Sequence, residues 1–357
     1  MSDFIRMKSN YLSFYSRLAM LAVLFAALLQ TSTLLASDGH EEASSSDYDP
    51  VETILHHVKD EHHWSLFTTT DEQGHEHHYG ISLPVILYVP GGGFEFFSSG
   101  DFLHHAKVKG NYGTYVNHHE HIVNADDEHQ VIYDFSLTKN ATSTGLSVIV
   151  LLILFSAISK GYKKNVGKAP TGVQSFFEPL IVYMRDEVIA PNLGSKTDKF
   201  LPYLITLFFF ILINNLMGLI PGGANSSGNI AFTMTFAVMT FLVVNFSGNK
   251  QYWGHVFATP GVPWWLSPIM IPVEIIGLFT KPIALMLRLF ANITGGHIVL
   301  LSFMSLVFII GKVWVGGVAS LIIIPLFFME IFVAFLQAYI FTMLSALFIS
   351  SAVAEHH

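Results

Sequence analysis

Between Lys139 and Lys160, and again from Phe200 to Asn249, the sequence contains no Asp, Glu, Lys or Arg. A helix needs about 20 apolar residues to cross the ~30 Å hydrocarbon layer of a bilayer. In that layer the backbone must satisfy its own hydrogen bonds, so runs of this kind predict membrane-spanning helices. Composition agrees: the 357 residues are 52% hydrophobic and 12% charged, against about one quarter charged in a soluble protein. A net charge of -8 and the lack of a basic stripe argue against nucleic-acid binding. The absence of Cys removes disulfides, thiolate metal sites and cysteine nucleophiles.

The charge is unevenly placed. Residues 1–36 carry Arg6, Lys8 and Arg17 against Asp3, whereas residues 37–139 carry 18 acidic residues against 4 Lys. The basic start, the apolar run Leu18 to Leu29 and the small residue Ala36 predict a signal peptide over 1–36, with an uncleaved anchor helix as the alternative. Either delivers residue 37 onward to the outside. Residues 37–139 then form a small extracytoplasmic segment, loosely structured, with strand-like Ile81 to Tyr88, a turn at Gly91-Gly92-Gly93 and an apolar patch from Val131 to Phe135. This segment holds 14 of the 18 His, among them His56-His57, His62-His63 and His77-His78. Imidazole binds metals and titrates near neutral pH, yet no spacing here fits a structural zinc pattern. A solvated His-rich segment without a defined metal site is therefore expected.

Residues 140–357 form the membrane domain. The first span ends at Lys160, Lys163, Lys164 and Lys168, which marks the cytoplasmic side. Residues 170–199 place Phe176, Phe177, Leu180, Ile181, Met184 and Val188 at helical spacing among charges, as in a helix on the inner face. Pro221 to Gly228 divides the next charge-free run into two spans. Ser267 to Ile310 and Val315 to Val353 each exceed a perpendicular crossing and must tilt or kink. The fold class is thus an all-α polytopic membrane protein, with three spanning helices and a long tilted two-helix hairpin, preceded by the His-rich segment with some β structure.

Within the hairpin stand Glu274, Lys281, Arg288, His297 and Glu330, with Asn292 and Gln337 as polar companions. An ionisable residue at the bilayer centre costs about 2.5–3.5 kcal/mol to insert, so such groups face a polar path or a partner. Lys281, beside Pro282, can also snorkel or cap a turn. Arg288 has no such explanation, being flanked by Met286-Leu287 and Leu289-Phe290. Seven-residue spacing puts Glu274, Lys281 and Arg288 on one helix face, with Asn292 a turn beyond Arg288. His297 lies half a turn round, while Glu330 and Gln337 share a face of the last helix. Gly295 and Gly296 permit close approach of another helix.

These residues carry a resemblance. Lys281-Pro282-Ile283-Ala284-Leu285-Met286-Leu287-Arg288-Leu289-Phe290-Ala291-Asn292 resembles the signature helix of subunit a of the rotary F-type ATP synthase. Phe335 to Phe341 resembles that family's last helix, and Asn215 to Pro221 the end of an earlier span. The resemblance covers about residues 140–357. It implies a stationary F0 subunit that conducts protons through two half-channels to and from the carboxylates of a rotating c-ring. Arg288 matches the essential arginine facing those carboxylates. An opposite charge favours their ionisation. Asn292 and Gln337 match polar neighbours of that arginine, and Glu274 an acidic residue of the cytoplasmic half-channel. His297 and Glu330 match an outer half-channel pair with the two residue types exchanged relative to the best-known enterobacterial pattern. Gly218 stands where some relatives have Asp.

The resemblance further implies the c-ring, the b subunits of the peripheral stalk, the lipid bilayer and protons as partners, and a bacterial inner membrane with the C-terminus cytoplasmic. The subunit itself would be non-catalytic and without a cofactor: the ATP chemistry would belong to partners, and the sequence has no Walker-type phosphate loop. The choice of H+ or Na+ and the ring stoichiometry are left to the c-ring. The alternative is a secondary cation transporter whose His-rich outer segment captures metal.

Overall fold

The computed structural model describes residues 60–70, 76–118, 121–126, 130–165, 168–220, 222–257, 264–310 and 313–354. The expected leader over 1–36 and part of the His-rich segment, including His56-His57, lie outside the described residues.

The chain first builds a β unit. Strands β1 (His63–Thr70) and β2 (Glu76–Ser82) form an antiparallel pair. A second sheet has the order β4-β3-β8, from β3 (Pro84–Val89), β4 (Gly93–Ser98) and β8 (Tyr133–Asp134). A third has the order β5-β6-β7, from β5 (Val108–Lys109), β6 (Thr114–His118) and β7 (His121–Asn124). The expected single strand from Ile81 to Tyr88 is divided at Leu83. Pro84 has no N–H to continue the β2 ladder, and the Leu83 N–H turns instead to Ser99 Oγ at 2.8 Å. The glycine turn is as expected: Gly91 and Gly93 take φ of 87° and 132°, conformations a side chain resists. Between them, a β-carbon on Gly92 would meet the Tyr112 ring at 2.7 Å. The described part of the unit has a small core of its own: Val85, Leu87 and Val89 alternate inward along β3 and bury against Phe102, Tyr115 and Ile122.

Helix α1 (Lys139–Lys164) begins where the β unit ends. Its first N–H groups need acceptors. Thr138 Oγ1 accepts from the Ala141 N–H, the Glu61 carbonyl from the Lys139 N–H at 2.8 Å, and the Asp60 carboxylate from the Asn140 N–H at 3.0 Å. Trp64 Nε1 donates to the Gly222 carbonyl at 2.7 Å, tying the β unit to the loop between the second and third spans.

Helix α2 (Val173–Tyr183) continues through a π-helical turn at Met184–Ile189 and the short α3 (Ala190–Leu193) toward α4 (Thr197–Gly218). The expected amphipathic segment is therefore helical, with Met184 and Val188 buried and Phe176 exposed. Helix α4 is the centre of the bundle: Leu204, Phe208, Phe209, Phe210 and Ile211 are buried on all sides of it. Around it stand α1, α5 (Ile230–Ser247), α7 (Ser267–Ile310) and α8 (Val313–Val353), with the short α6 (Lys250–Phe257) after α5. Among the described residues, five helical stretches are long and apolar enough to span a membrane. Helix α7, of 44 residues, is about 66 Å long at 1.5 Å per residue, twice the hydrocarbon thickness. Pro272 and Pro282 interrupt its hydrogen-bond ladder, as Pro325 does in α8.

Small residues form the seam of α8. Ala334, Ala338, Thr342, Ser345, Ala346 and Ala352 are fully buried, which lets the neighbouring backbones approach. The carbonyls at its C-terminal end are satisfied by Lys196 Nζ, 2.6 Å from the Val353 oxygen, and by the Asn249 amide at 3.0 Å from the same atom. A cation there also complements the helix dipole.

Candidate functional site

The ionisable residues of α7 divide between its two sides. Leu285, Leu289, Ile293 and His297, four residues apart, form the face buried in the bundle. Arg288 and Asn292 are exposed on the other side, one turn apart. Among the described residues, no carboxylate lies within ion-pairing distance of Arg288. A permanent guanidinium on an otherwise apolar helix surface is costly in lipid and calls for a partner outside the chain.

His297 is buried with its Nδ1 3.9 Å from Oε1 of Glu330, which is also buried. Two features bring them together. The nine-residue spacing turns His297 away from Arg288 toward α8, and Gly296 keeps any larger side chain out of the contact: even a β-carbon there would lie 3.4 Å from Glu330 Oε1 and 3.6 Å from its Cγ, already ordinary contact distance. Gln337 is buried on the same face of α8 as Glu330, as its seven-residue spacing predicts. Gly295 has open space around its α-carbon, so the close approach belongs to Gly296.

Glu274 and Lys281, in phase with Arg288, each have a neighbour from another helix. Glu274 is half-buried with Oε1 3.7 Å from His255 Nδ1 on α6. The Lys281 ammonium stands over the Phe348 ring of α8, 5.6 Å from its centroid. Two separate pairs thus flank Arg288: His255 with Glu274 on the N-terminal side along α7, and His297 with Glu330 on the C-terminal side.

Sequence reasoning missed His255, because the segment that joins α6 to α7 breaks any periodicity linking it to Glu274. It also gave no role to a buried polar ladder beside Glu330. Asn215 Nδ2 donates to the Ala334 carbonyl at 3.0 Å, one turn beyond Glu330, and Ser227 Oγ donates to Asn215 Oδ1 at 2.6 Å. Asn214 Nδ2 donates to Ser147 Oγ at 2.8 Å and to the Phe210 carbonyl at 2.9 Å. Ser226 adds a longer hydroxyl contact with Thr144, at 3.4 Å. Two adjacent Asn in a charge-free span were the available signal. Gly218 also finds its explanation here: a β-carbon would press on Asn225, 3.2 Å from Oδ1, so the neighbour's amide holds the space an acidic side chain would need.

A bundle of apolar helices with an outward arginine and a buried His–Glu pair defines a multi-pass membrane protein. The sequence model of the ATP synthase A chain family matches residues 142–350. The chain belongs to that family. It is similar to ATP synthase subunit a 2 of Chlorobaculum tepidum, 47% identical over 230 residues that cover 62% of this chain and 65% of the relative. ATP synthase subunit a 2 of Chlorobium luteolum is 47% identical over 229 residues, covering 62% and 67%. ATP synthase subunit a of Anaeromyxobacter sp. strain Fw109-5 is 41% identical over 254 residues, covering 68% and 61%. The chain thus spans about two-thirds of the length of these relatives. Residues 53–145, which include the β unit, match a separate domain family of unknown function.

Proposed function

We propose that this protein is the stationary proton-translocating a subunit of the F0 sector of an F-type ATP synthase, seated in a bacterial inner membrane with its C-terminus cytoplasmic. Residues 1–36 act as the signal peptide, 37–139 as the extracytoplasmic segment and 140–357 as the membrane domain. The observation that carries this reading is the division of α7, with Arg288 and Asn292 facing out of the bundle while His297 turns inward to Glu330. A proton entering from outside passes the Asn214–Ser147 and Asn215–Ser227 ladder, reaches Glu330 and His297, and protonates a c-ring carboxylate. Imidazole and carboxylate at this separation can relay it through one water. After the ring turns, the positive charge of Arg288 favours ionisation of the returning carboxylate. The released proton leaves past Glu274 and His255, the pair nearer the start of α7. Gln337 and Asn292 keep the path beside Arg288 polar. Arg288 stands between the two routes and blocks direct leakage. Each charge falling through 100 mV releases about 2.3 kcal/mol, which the ring accumulates for ATP synthesis in partner subunits. The b subunits hold the a subunit against the ring's torque.

The sequence has no Cys, which makes a direct test available. Asn292→Cys is expected to form a disulfide with a cysteine placed beside the c-ring carboxylate, whereas Ile293→Cys, buried in the bundle, is expected not to. Equal cross-linking from both positions, or none from Asn292→Cys in an assembled complex, would refute the ring-facing assignment.

A further inference from the structure

The β4-β3-β8 sheet has one face in the core of the β unit and one face without a partner among the described residues. The covered face carries Val85, Leu87 and Val89. On the other, Phe94 pairs with Tyr88 and Tyr88 with Tyr133 across the three strands, with ring centroids 5.0 Å and 6.3 Å apart. Phe96 opposite Ile86 and Phe135 beside it extend this aromatic face. Phe96 is 70% exposed, Phe94 59%, Tyr133 52% and Phe135 49%, and no charged side chain interrupts the group. An uninterrupted apolar patch of this kind marks a protein or membrane contact.

Its position decides between the two. Val131, Tyr133, Phe135 and Leu137 alternate outward along one strand-like run and lead directly into α1 at Lys139. The run stays paired to its end: the Phe135 N–H donates to the Ile86 carbonyl at 2.8 Å and the Leu137 N–H to the Pro84 carbonyl at 3.2 Å. After the buried first two turns of α1, exposed apolar residues resume with Leu146, Ile149, Val150 and Ile153, which a spanning helix presents to lipid. Pairing to Leu137 and the tether from Trp64 to Gly222 hold the sheet at the mouth of the bundle. Tyr and Phe suit this depth, where one end of the ring meets hydrocarbon and the other the headgroups.

We infer that this aromatic sheet face is seated in the headgroup and upper acyl layer of the bilayer leaflet bordering the N-terminal end of α1, so that the β unit is an interfacial anchor. The face supplies apolar contact with lipid on the same side as α1, and the opposite face keeps the His62–Asp134 pair, at 2.8 Å, within the protein.

The test places single nitroxide-labelled cysteines in the full chain, which has none of its own, reconstituted in phosphatidylethanolamine and phosphatidylglycerol vesicles. Oxygen concentrates in the bilayer and a chelated Ni(II) ion in water, so the ratio of their effects on power saturation reports depth. Phe96→Cys and Phe94→Cys are made separately, so that one failing to fold leaves the other. Both are expected to give ratios favouring oxygen, in the direction of a lipid-facing Ile149→Cys and opposite to an exposed Lys109→Cys. Ratios matching Lys109→Cys would put the face in water and overturn the inference. Shielding from both reagents would mean that protein covers it, whether a second copy or residues 37–59, and would equally overturn it.

Discussion

If His297 and Glu330 act as a pair, their identities should be exchangeable between the two helices. His297→Glu alone would place two carboxylates about 3.9 Å apart, the present Nδ1–Oε1 separation. At an effective dielectric of about 20 their repulsion is about 4 kcal/mol, which reduces the doubly ionised state roughly a thousandfold relative to isolated groups at 1.4 kcal/mol per decade. Glu330→His alone places two imidazoles together and removes the carboxylate. Each single variant is expected to lose most ATP-driven proton pumping. The double variant restores one imidazole and one carboxylate at the same site, and Gly296 keeps any larger side chain out of the contact, so pumping should return to well above either single. The assay is quenching of a pH-sensitive dye in inverted vesicles, with complex assembly checked by immunoblot. A double variant that assembles yet pumps no better than the singles would refute the pair.

Three further outcomes follow from the geometry. Gly296→Ala should pump normally, because its β-carbon would sit at ordinary contact distance of 3.4–3.7 Å from Glu330, whereas Gly296→Leu should abolish pumping by displacing the carboxylate, overpacking costing about 1–3 kcal/mol. Trp64→Phe removes a 2.7 Å hydrogen bond to Gly222, worth about 1 kcal/mol, and should raise amide exchange in residues 222–224 several-fold. Burial raises the Asp60 carboxyl above its ordinary value, although the Asn140 N–H, Thr138 and Lys139 oppose the shift. An acid raised in the folded state binds its proton more tightly folded than unfolded, so the β unit should gain stability as pH falls through the raised value and stop gaining below about 4, near the unfolded pKa. Asp60→Asn should flatten that dependence in amide-exchange protection measured across pH.

The spans were legible because lipid imposes one rule on every residue. The charge-free runs starting beyond Lys139 and at Phe200, and the long apolar run from Ser267, could only be helices, and the helices are there. Helical phase likewise foretold that His297 would turn away from Arg288 and that Glu330 and Gln337 would lie together. It failed where a partner came from a distant segment. His255 reaches Glu274 from another helix, and the Phe348 ring of α8 comes under the Lys281 ammonium. The Asn–Ser ladder was hidden for the same reason, since Asn215 is 119 residues from the carbonyl it binds. In the β unit, acidic and His-rich composition suggested looseness, while the alternation of Val85, Leu87 and Val89 was enough to build a core with Phe102, Tyr115 and Ile122. Composition averages over such alternation, and the core is set by a few inward positions.

The central claim is that Arg288 couples proton movement to the ring. ATP-driven acidification of inverted vesicles carrying Arg288→Gln, with the complex confirmed to assemble, tests it most directly. The account predicts that pumping is lost while the complex remains intact. Undiminished pumping by that variant would contradict it and remove Arg288 from the coupled path.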